Sequence, residues 1–289
     1  MDDVEQTSTF LIIYNYRPEN VRYWYRSDPF RSYLNAMRLI TRLILSLRHV
    51  GTRLPIHLLM SGERHEGFER ELVDRLGVGV LSTDVRFPVP PWSNAFHRGS
   101  FAKLAALSLV QFRRVVVLDS DTVVLRNVDV LMRMPAPAFV YRFKCYGDVA
   151  KLRIWEMNSG VMVLQPDAAQ HRRMVDLMTV SGAAIDDGHS GNITLKRLAV
   201  SSDLGEQSVW RSFFTSVYEL PAAFNTFKRT KFLNNGSDWA NVAILHDSDV
   251  HRKARIPLKS VDSLYANLTR SAATLVHTMA GSLGVKNRG

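Results

Sequence analysis

The sequence predicts an α/β fold with a mostly parallel central sheet flanked by helices. Three observations carry this reading. Short apolar runs alternate with helical patterns through the first half of the chain. The helical patterns repeat their apolar residues at three- and four-residue steps. No internal repeat, low-complexity tract or clear linker divides the chain, so a single domain is expected.

The elements follow in order. Residues 9–14 (TFLIIY) read as a strand. Residues 31–49 read as a helix, with Leu34, Met37, Ile40, Ile44 and Leu47 on one face. Residues 55–60 form a strand, 65–76 a helix and 78–82 a strand. The segment 87–94 (FPVPPWSN) holds three prolines and reads as a loop. Residues 100–112 are helical and 115–118 (VVVL) a strand. The second half is less regular. Strands are expected at 137–142 and 160–165, a helix at 167–180, and a Gly-rich loop at 181–192. A helix at 205–214 and a last strand at 242–246 follow. The main domain is expected over 1–255, and the basic segment 256–289 as a peripheral or mobile tail.

Composition narrows the class. Of the 289 residues 46% are hydrophobic and 22% charged, a globular rather than a disordered balance. Lys and Arg number 37 against 27 Asp and Glu, a net charge of +10. Such a surface favours anionic partners without choosing among them. The one cysteine, Cys145, excludes an intrachain disulfide and fits a reducing compartment. The acidic, polar N-terminus shows no signal-peptide pattern, and no apolar run approaches a membrane span. A cytoplasmic location is therefore expected. Sequons at Asn192, Asn235 and Asn267 keep a Golgi or other secretory lumen open as the alternative. No zinc pattern or RNA-binding aromatic signature supports a nucleic-acid partner.

The chemistry centres on VVVLDSDTVVL (115–125). Open α/β sheets bind ligands at the carboxyl ends of their strands. Asp119 and Asp121 stand where strand 115–118 ends. In extended chain, residues two apart point the same way, so both carboxylates could reach one divalent ion. A solvated turn at a strand end explains the same spacing. Lys103, on the preceding helix, could hold a phosphate or simply face solvent. Met157-Asn158-Ser159-Gly160 precedes the strand VMVL; it offers hydroxyl-binding side chains or an ordinary turn. Glu206 and Gln207 open a helix, where an acidic residue is favourable in any case. His246 ends an apolar strand. Beside two carboxylates its imidazole would suit a transition metal such as Mn²⁺ better than Mg²⁺.

Together these blocks resemble a known family. Residues 100–132, MNSGVMVLQPD (157–167), LGEQSVWRSFF (204–214), LPAAFN (220–225) and VAILH (242–246) resemble glycosyltransferase family 8, the glycogenin-like family. The resemblance spans roughly residues 9 to 253. It implies a GT-A fold, a Rossmann-like half (about 9–125) merged with an acceptor half (about 126–255). It implies Mn²⁺-dependent, retaining transfer of a sugar from a UDP-sugar donor to a glycan, protein or lipid hydroxyl, an activity of the hexosyltransferase type. By resemblance, Asp119, Asp121 and His246 hold the metal, and Ser120 lies between them at the donor. Lys103, Asn158 and Ser159 contact the donor, Ile12, Tyr14 and Asn15 meet the nucleoside, and Asp203, Glu206 and Gln207 flank the anomeric carbon. A homodimer stays open.

This sequence departs from the family at three places. Glu206 replaces the usual Asp, which leaves both a covalent adduct and a front-face route open. After His246 the usual Gly is absent, Asp247 stands there, and Arg252 or Lys253 takes the place of the phosphate-binding lysine. Counting seven residues from Asn225 reaches Phe232, where glycogenin has the tyrosine it glucosylates. Phenylalanine has no hydroxyl to accept a sugar, so the acceptor is expected to be another molecule. Two rivals remain at this stage. VVVLDSDTVV also fits the Asp-x-Asp-x-Val signature of haloacid-dehalogenase-like phosphatases, with Asp119 as nucleophile. The other rival is a catalytically degenerate transferase used as a scaffold.

Overall fold

The computed structural model describes residues 8–16, 29–62, 66–82, 89–90, 93, 95–145, 153–183, 205–227, 239–247 and 258–283. In chain order the first half contains β1 (Ser8–Tyr16), α1 (Pro29–His49), β2 (Ile56–Gly62), α2 (Glu66–Leu76) and β3 (Gly79–Ser82). A 3-10 helix (Ala95–Ser108), β4 (Arg114–Leu118) and β5 (Thr122–Val124) follow. The second half contains β6 (Ala138–Cys145), β7 (Arg153–Leu164), α3 (Ala168–Ala183) and α4 (Glu206–Phe213). It ends with β8 (Tyr218–Leu220), β9 (Thr226–Phe227), β10 (Ile244–His246) and α5 (Lys259–Ser282).

Seven strands form the central sheet in the order β3-β2-β1-β4-β7-β6-β8. All pair in parallel except at β7, which runs against both β4 and β6. The mostly parallel α/β sheet expected from the alternation is therefore present. Side chains alternate across it, as the two-residue strand period requires. Phe10 and Ile12 of β1 and Val116 and Leu118 of β4 enter one core with α1 and α5. Leu11, Val115 and Val117 enter a second core with the 3-10 helix, α3 and α4. Burying each such side chain contributes about 1.5–3 kcal/mol. Helix α1 puts Met37, Ile40, Ile44 and Leu47 in the first core, the face its periodicity predicts. Gly51 follows it with φ +83, the left-handed conformation that ends helices.

Three features differ from the sequence reading. The segment expected to be helical at 100–112 winds as a 3-10 helix over Ala95–Ser108. Residues three apart eclipse in that winding, and Phe101, Leu104 and Leu107 line up as a buried stripe. Met157–Gly160 does not precede a strand; it lies inside β7, which begins at Arg153. Residues 258–283, expected to be peripheral or mobile, include the helix α5, which packs along α1. Its Val276, Met279 and Ala280 belong to the first core, because the mild helicity of this segment carries an apolar face.

A second, three-stranded sheet, β5-β10-β9, sits where β4 ends. Strand β10 pairs antiparallel with β5, Leu245 opposite Val123 and His246 opposite Thr122. This pairing carries the last strand to the aspartate-containing turn. Among the described residues, no helix is long and apolar enough to cross a membrane.

Candidate metal and donor site

Backbone geometry assembles the centre. Strand β4 stops at Leu118, and residues 119–121 turn into β5 rather than continuing extended. The Thr122 N–H and hydroxyl both donate to the Asp119 carbonyl, at 2.9 and 2.7 Å. The turn, not an extended strand, therefore brings both carboxylates to one side, with Ser120 between them. The Asp119 N–H donates to the Gly160 carbonyl at 2.9 Å, and the Asp247 N–H to the Asp121 carbonyl at 2.9 Å. Each aspartate is thus tied to a neighbouring strand segment.

On the β7 side, pairing with β6 slips between Phe139 and Val140. Phe139 opposes Met162, but Val140 opposes Asn158. Residues 159–161 therefore have no partner on β6, and this bulge re-aims Asn158 and Ser159. Gly160 occupies its narrowest point. A Cβ there would lie 2.6 Å from His246 Cε1 and 2.9 Å from Asn158 Oδ1.

A continuous polar network joins these segments. Lys103 Nζ lies 2.5 Å from Asp119 Oδ1 and 3.0 Å from Glu206 Oε1. The Ser159 hydroxyl donates to the same Glu206 oxygen at 2.5 Å. Gln207 Oε1 accepts from Asn158 Nδ2 at 2.9 Å and from the Ser159 N–H at 3.1 Å. Asn158 Oδ1 accepts from Asn225 Nδ2 at 2.6 Å. Asn225 Oδ1 lies 2.8 Å from His246 Nδ1, which leaves His246 Nε2 facing Asp121 Oδ1 at 3.3 Å. Phe227 stacks on the imidazole, with centroids 4.3 Å apart.

The charges are mutually dependent. Burial disfavours the Lys103 ammonium, but Asp119 and Glu206 outweigh it and hold the lysine protonated. Burial likewise opposes the Glu206 charge, yet Lys103 and the donors Ser100 and Ser159 keep its carboxyl below the usual range. Burial pushes Asp119 up, while His246 overcomes burial at Asp121 and holds that carboxyl down. His246 is raised in turn, chiefly because Asp121 offsets its burial. Three carboxyl groups, Asp119, Asp121 and Glu206, therefore face two basic groups, Lys103 and His246.

That set fits a divalent ion. Asp119, Asp121 and His246 each offer a ligand atom within 4.8 Å of the others. Two ligands on opposite sides of a hard ion stand about 4–5 Å apart, so little closure is needed. The imidazole is also prepared. A proton on Nδ1 would be accepted by the Asn225 oxygen, and Nε2, which faces Asp121, would then be available to a metal that displaces its proton, the usual outer-shell arrangement.

Eight of the expected site residues, Lys103, Asp119, Asp121, Asn158, Ser159, Glu206, Gln207 and His246, therefore converge. Ile12 and Tyr14 are placed differently. Both are buried in the first core, and Tyr14 meets Tyr33 edge to face. Only the strand itself reaches the site edge, since Ile12 pairs with Leu118, the residue before Asp119. The Asn15 side chain, Asp203, Phe232, Arg252 and Lys253 lie outside the described residues. Sequence reasoning missed Asn225 as a site residue, although it ends the quoted block LPAAFN. It also missed Phe227 and Ser100.

Comparison with known proteins bears on the fold. The Mannosyl_trans3 family model of mannosyltransferases matches residues 32–136. Glycogenin-1 of Caenorhabditis elegans is 28% identical over 190 residues, 62% of this chain and 37% of that protein. The galactosyltransferase LgtC, solved with donor and acceptor sugar analogs, superposes with a TM-score of 0.58 at 15% identity. The match covers 91% of this chain and 95% of that one. The chain has the GT-A fold and is similar to glycogenin over part of its length. The glycosyltransferase GlyE of Streptococcus pneumoniae TIGR4 shares this fold, with a TM-score of 0.53, 16% identity, and coverage of 96% of this chain and 64% of that one. The chain spans well under half the length of the curated relatives it matches first. The phosphatase alternative is not favoured. The sheet and its solved-structure neighbours are of the GT-A type.

Proposed function

We propose that this chain is a retaining, Mn²⁺-dependent glycosyltransferase that moves a hexose from a UDP-sugar to a hydroxyl acceptor. The observation that carries the reading is the convergence of Asp119, Asp121 and His246 beside Lys103 and Glu206 at the end of β4. A bound Mn²⁺ would neutralise the growing charge on the departing diphosphate. Asp119, Asp121 and His246 would hold it.

The chain's own residues do the remaining work. Lys103 places a fixed positive charge between the turn and α4, where phosphate oxygens would arrive. Asn158 and Ser159 present hydrogen-bonding groups beside it for donor hydroxyls. Glu206 stays ionised at the start of α4, near the anomeric carbon. Its Oε1 is already occupied by Lys103 and Ser159. This favours a front-face reaction, in which Glu206 and Gln207 steady an oxocarbenium-like state without a covalent adduct. Retention follows because the acceptor enters from the face that the diphosphate leaves. Phe232, at the position of the glycogenin acceptor tyrosine, directs transfer to another molecule.

The test is Asp121→Asn. It keeps the shape and removes one charged ligand. UDP release from the donor in the presence of Mn²⁺ is expected to fall by at least a hundredfold, a loss of about 2.7 kcal/mol of transition-state stabilisation. Turnover like that of the unaltered protein would sink the metal assignment.

A further inference from the structure

The residue after His246 links the site to a distant part of the fold. Asp247 is 6% exposed, and its backbone N–H donates to the Asp121 carbonyl at 2.9 Å. Its Oδ2 accepts from Arg42 Nη1 at 2.8 Å and from the Tyr265 hydroxyl. Arg42 lies mid-way along α1 and Tyr265 in the first half of α5. Arg42 Nη1 also donates to the Tyr265 oxygen at 2.8 Å, and its guanidinium sits 5.0 Å from that ring's centroid. One residue is therefore bonded through its main chain to both His246 and Asp121, and through its side chain to two long helices.

We propose that Arg42, Asp247 and Tyr265 form a buried strut that sets the positions of His246 and Asp121, making α5 a positioning element for the metal-binding centre. The inference rests on the metal-dependent reading above. Strand β10 is only three residues long and ends at His246 itself. So short a strand leaves the placing of His246 to contacts outside it, Asn225 and Phe227 at its ring and Asp247 at the main chain beyond it. A buried carboxylate held by a buried guanidinium has a narrow range of geometries, because separating the pair would strand both charges in the interior. Arg42 is 3% exposed, so water cannot easily replace its partner. The strut also gives a physical role to the departure at 247. An aspartate can be gripped from α1 and α5, whereas glycine offers no side chain to grip.

The experiment uses the full chain with Tyr265→Phe, which removes one hydroxyl, and Asp247→Asn, which removes the charge and keeps the shape. Each is titrated with Mn²⁺ by calorimetry without donor, well below its melting temperature. The Mn²⁺ dissociation constant is expected to rise on the order of tenfold, the lower end of what loss of support behind a metal ligand costs. UDP release should fall in step at limiting Mn²⁺ and recover at saturating Mn²⁺. Leu275→Ala loosens the packing of α5 against the first core without touching Asp247, and should leave Mn²⁺ affinity unchanged. An unchanged dissociation constant in folded Tyr265→Phe and Asp247→Asn overturns the inference. So does an equal loss in Leu275→Ala, which would mark general loosening. A wild-type chain that binds no Mn²⁺ fails the metal reading and takes the inference with it. Wild-type binding matched by both strut variants fails the inference alone.

Discussion

Gly160 has no room for a side chain. A methyl group there would stand 2.6 and 2.7 Å from His246 Cε1 and Nδ1. Gly160→Ala is therefore expected to push the imidazole from Asn225 and cost about 1–3 kcal/mol, the usual range for overpacking. Thermal unfolding reads the stability, and Mn²⁺ calorimetry should show weakened binding even where the variant is folded. Sequence shows Gly160 only as part of an Asn-Ser-Gly run. Its contact with a histidine 86 positions later is a product of strand pairing and was not legible. His57 makes a different residue-scale prediction. Burial lowers its pKa, and its Nδ1 lies 2.7 Å from the Thr9 hydroxyl. The unfolded chain then takes up the proton first as pH falls below about 6.5, so stability drops from there down to the folded pKa. His57→Asn, which keeps a polar atom near Thr9, should flatten the decline in melting temperature between neutral and mildly acidic pH. Some slope should remain, because burial and the neighbouring Arg172 also lower His171. An undiminished slope would contradict the assignment to His57.

At the level of elements, the sites lie where elements end or slip. Asp119 and Asp121 sit in the turn after β4, Glu206 and Gln207 open α4, and Asn158 and Ser159 sit at the bulge in β7. The alternation of apolar runs made β1, β2 and β4 legible, because strands covered on both faces are apolar throughout. The one-sided periodicity of α1 was equally plain. Strand β7 was readable only in its second half. The stretch before it reads as a turn because Asn158, Ser159 and Gly160, at the slip in pairing, are polar or small. The short strands β5, β8 and β9 escaped for another reason: two or three residues carry no period. Helix α5 shows how a weak local pattern gains weight from packing. Its Met279 is fully buried, and Met279→Ala should destabilise the whole chain by about 2–5 kcal/mol in denaturant titration. A loss below about 0.5 kcal/mol, the range of surface substitutions, would make α5 an accessory after all.

At the scale of the molecule, the two sheets divide the work. The larger one supports the residues that would hold the donor, and the smaller one delivers His246 to them. The excess of basic residues, +10 over the chain, suits an anionic donor but could not have identified it. What made the site legible was order: five blocks of ordinary residues in one sequence, each ambiguous alone. What remained hidden was connection, since Asn225, Phe227 and the Arg42–Asp247–Tyr265 strut act through contacts between distant segments. The central claim is that this connected centre transfers a sugar with a divalent ion. Its most direct test is UDP release from a panel of UDP-sugars, measured with Mn²⁺ and again with a chelator. Release from at least one donor, abolished by the chelator and restored by added Mn²⁺, is the predicted result. No release from any donor, or release that the chelator leaves untouched, would contradict it.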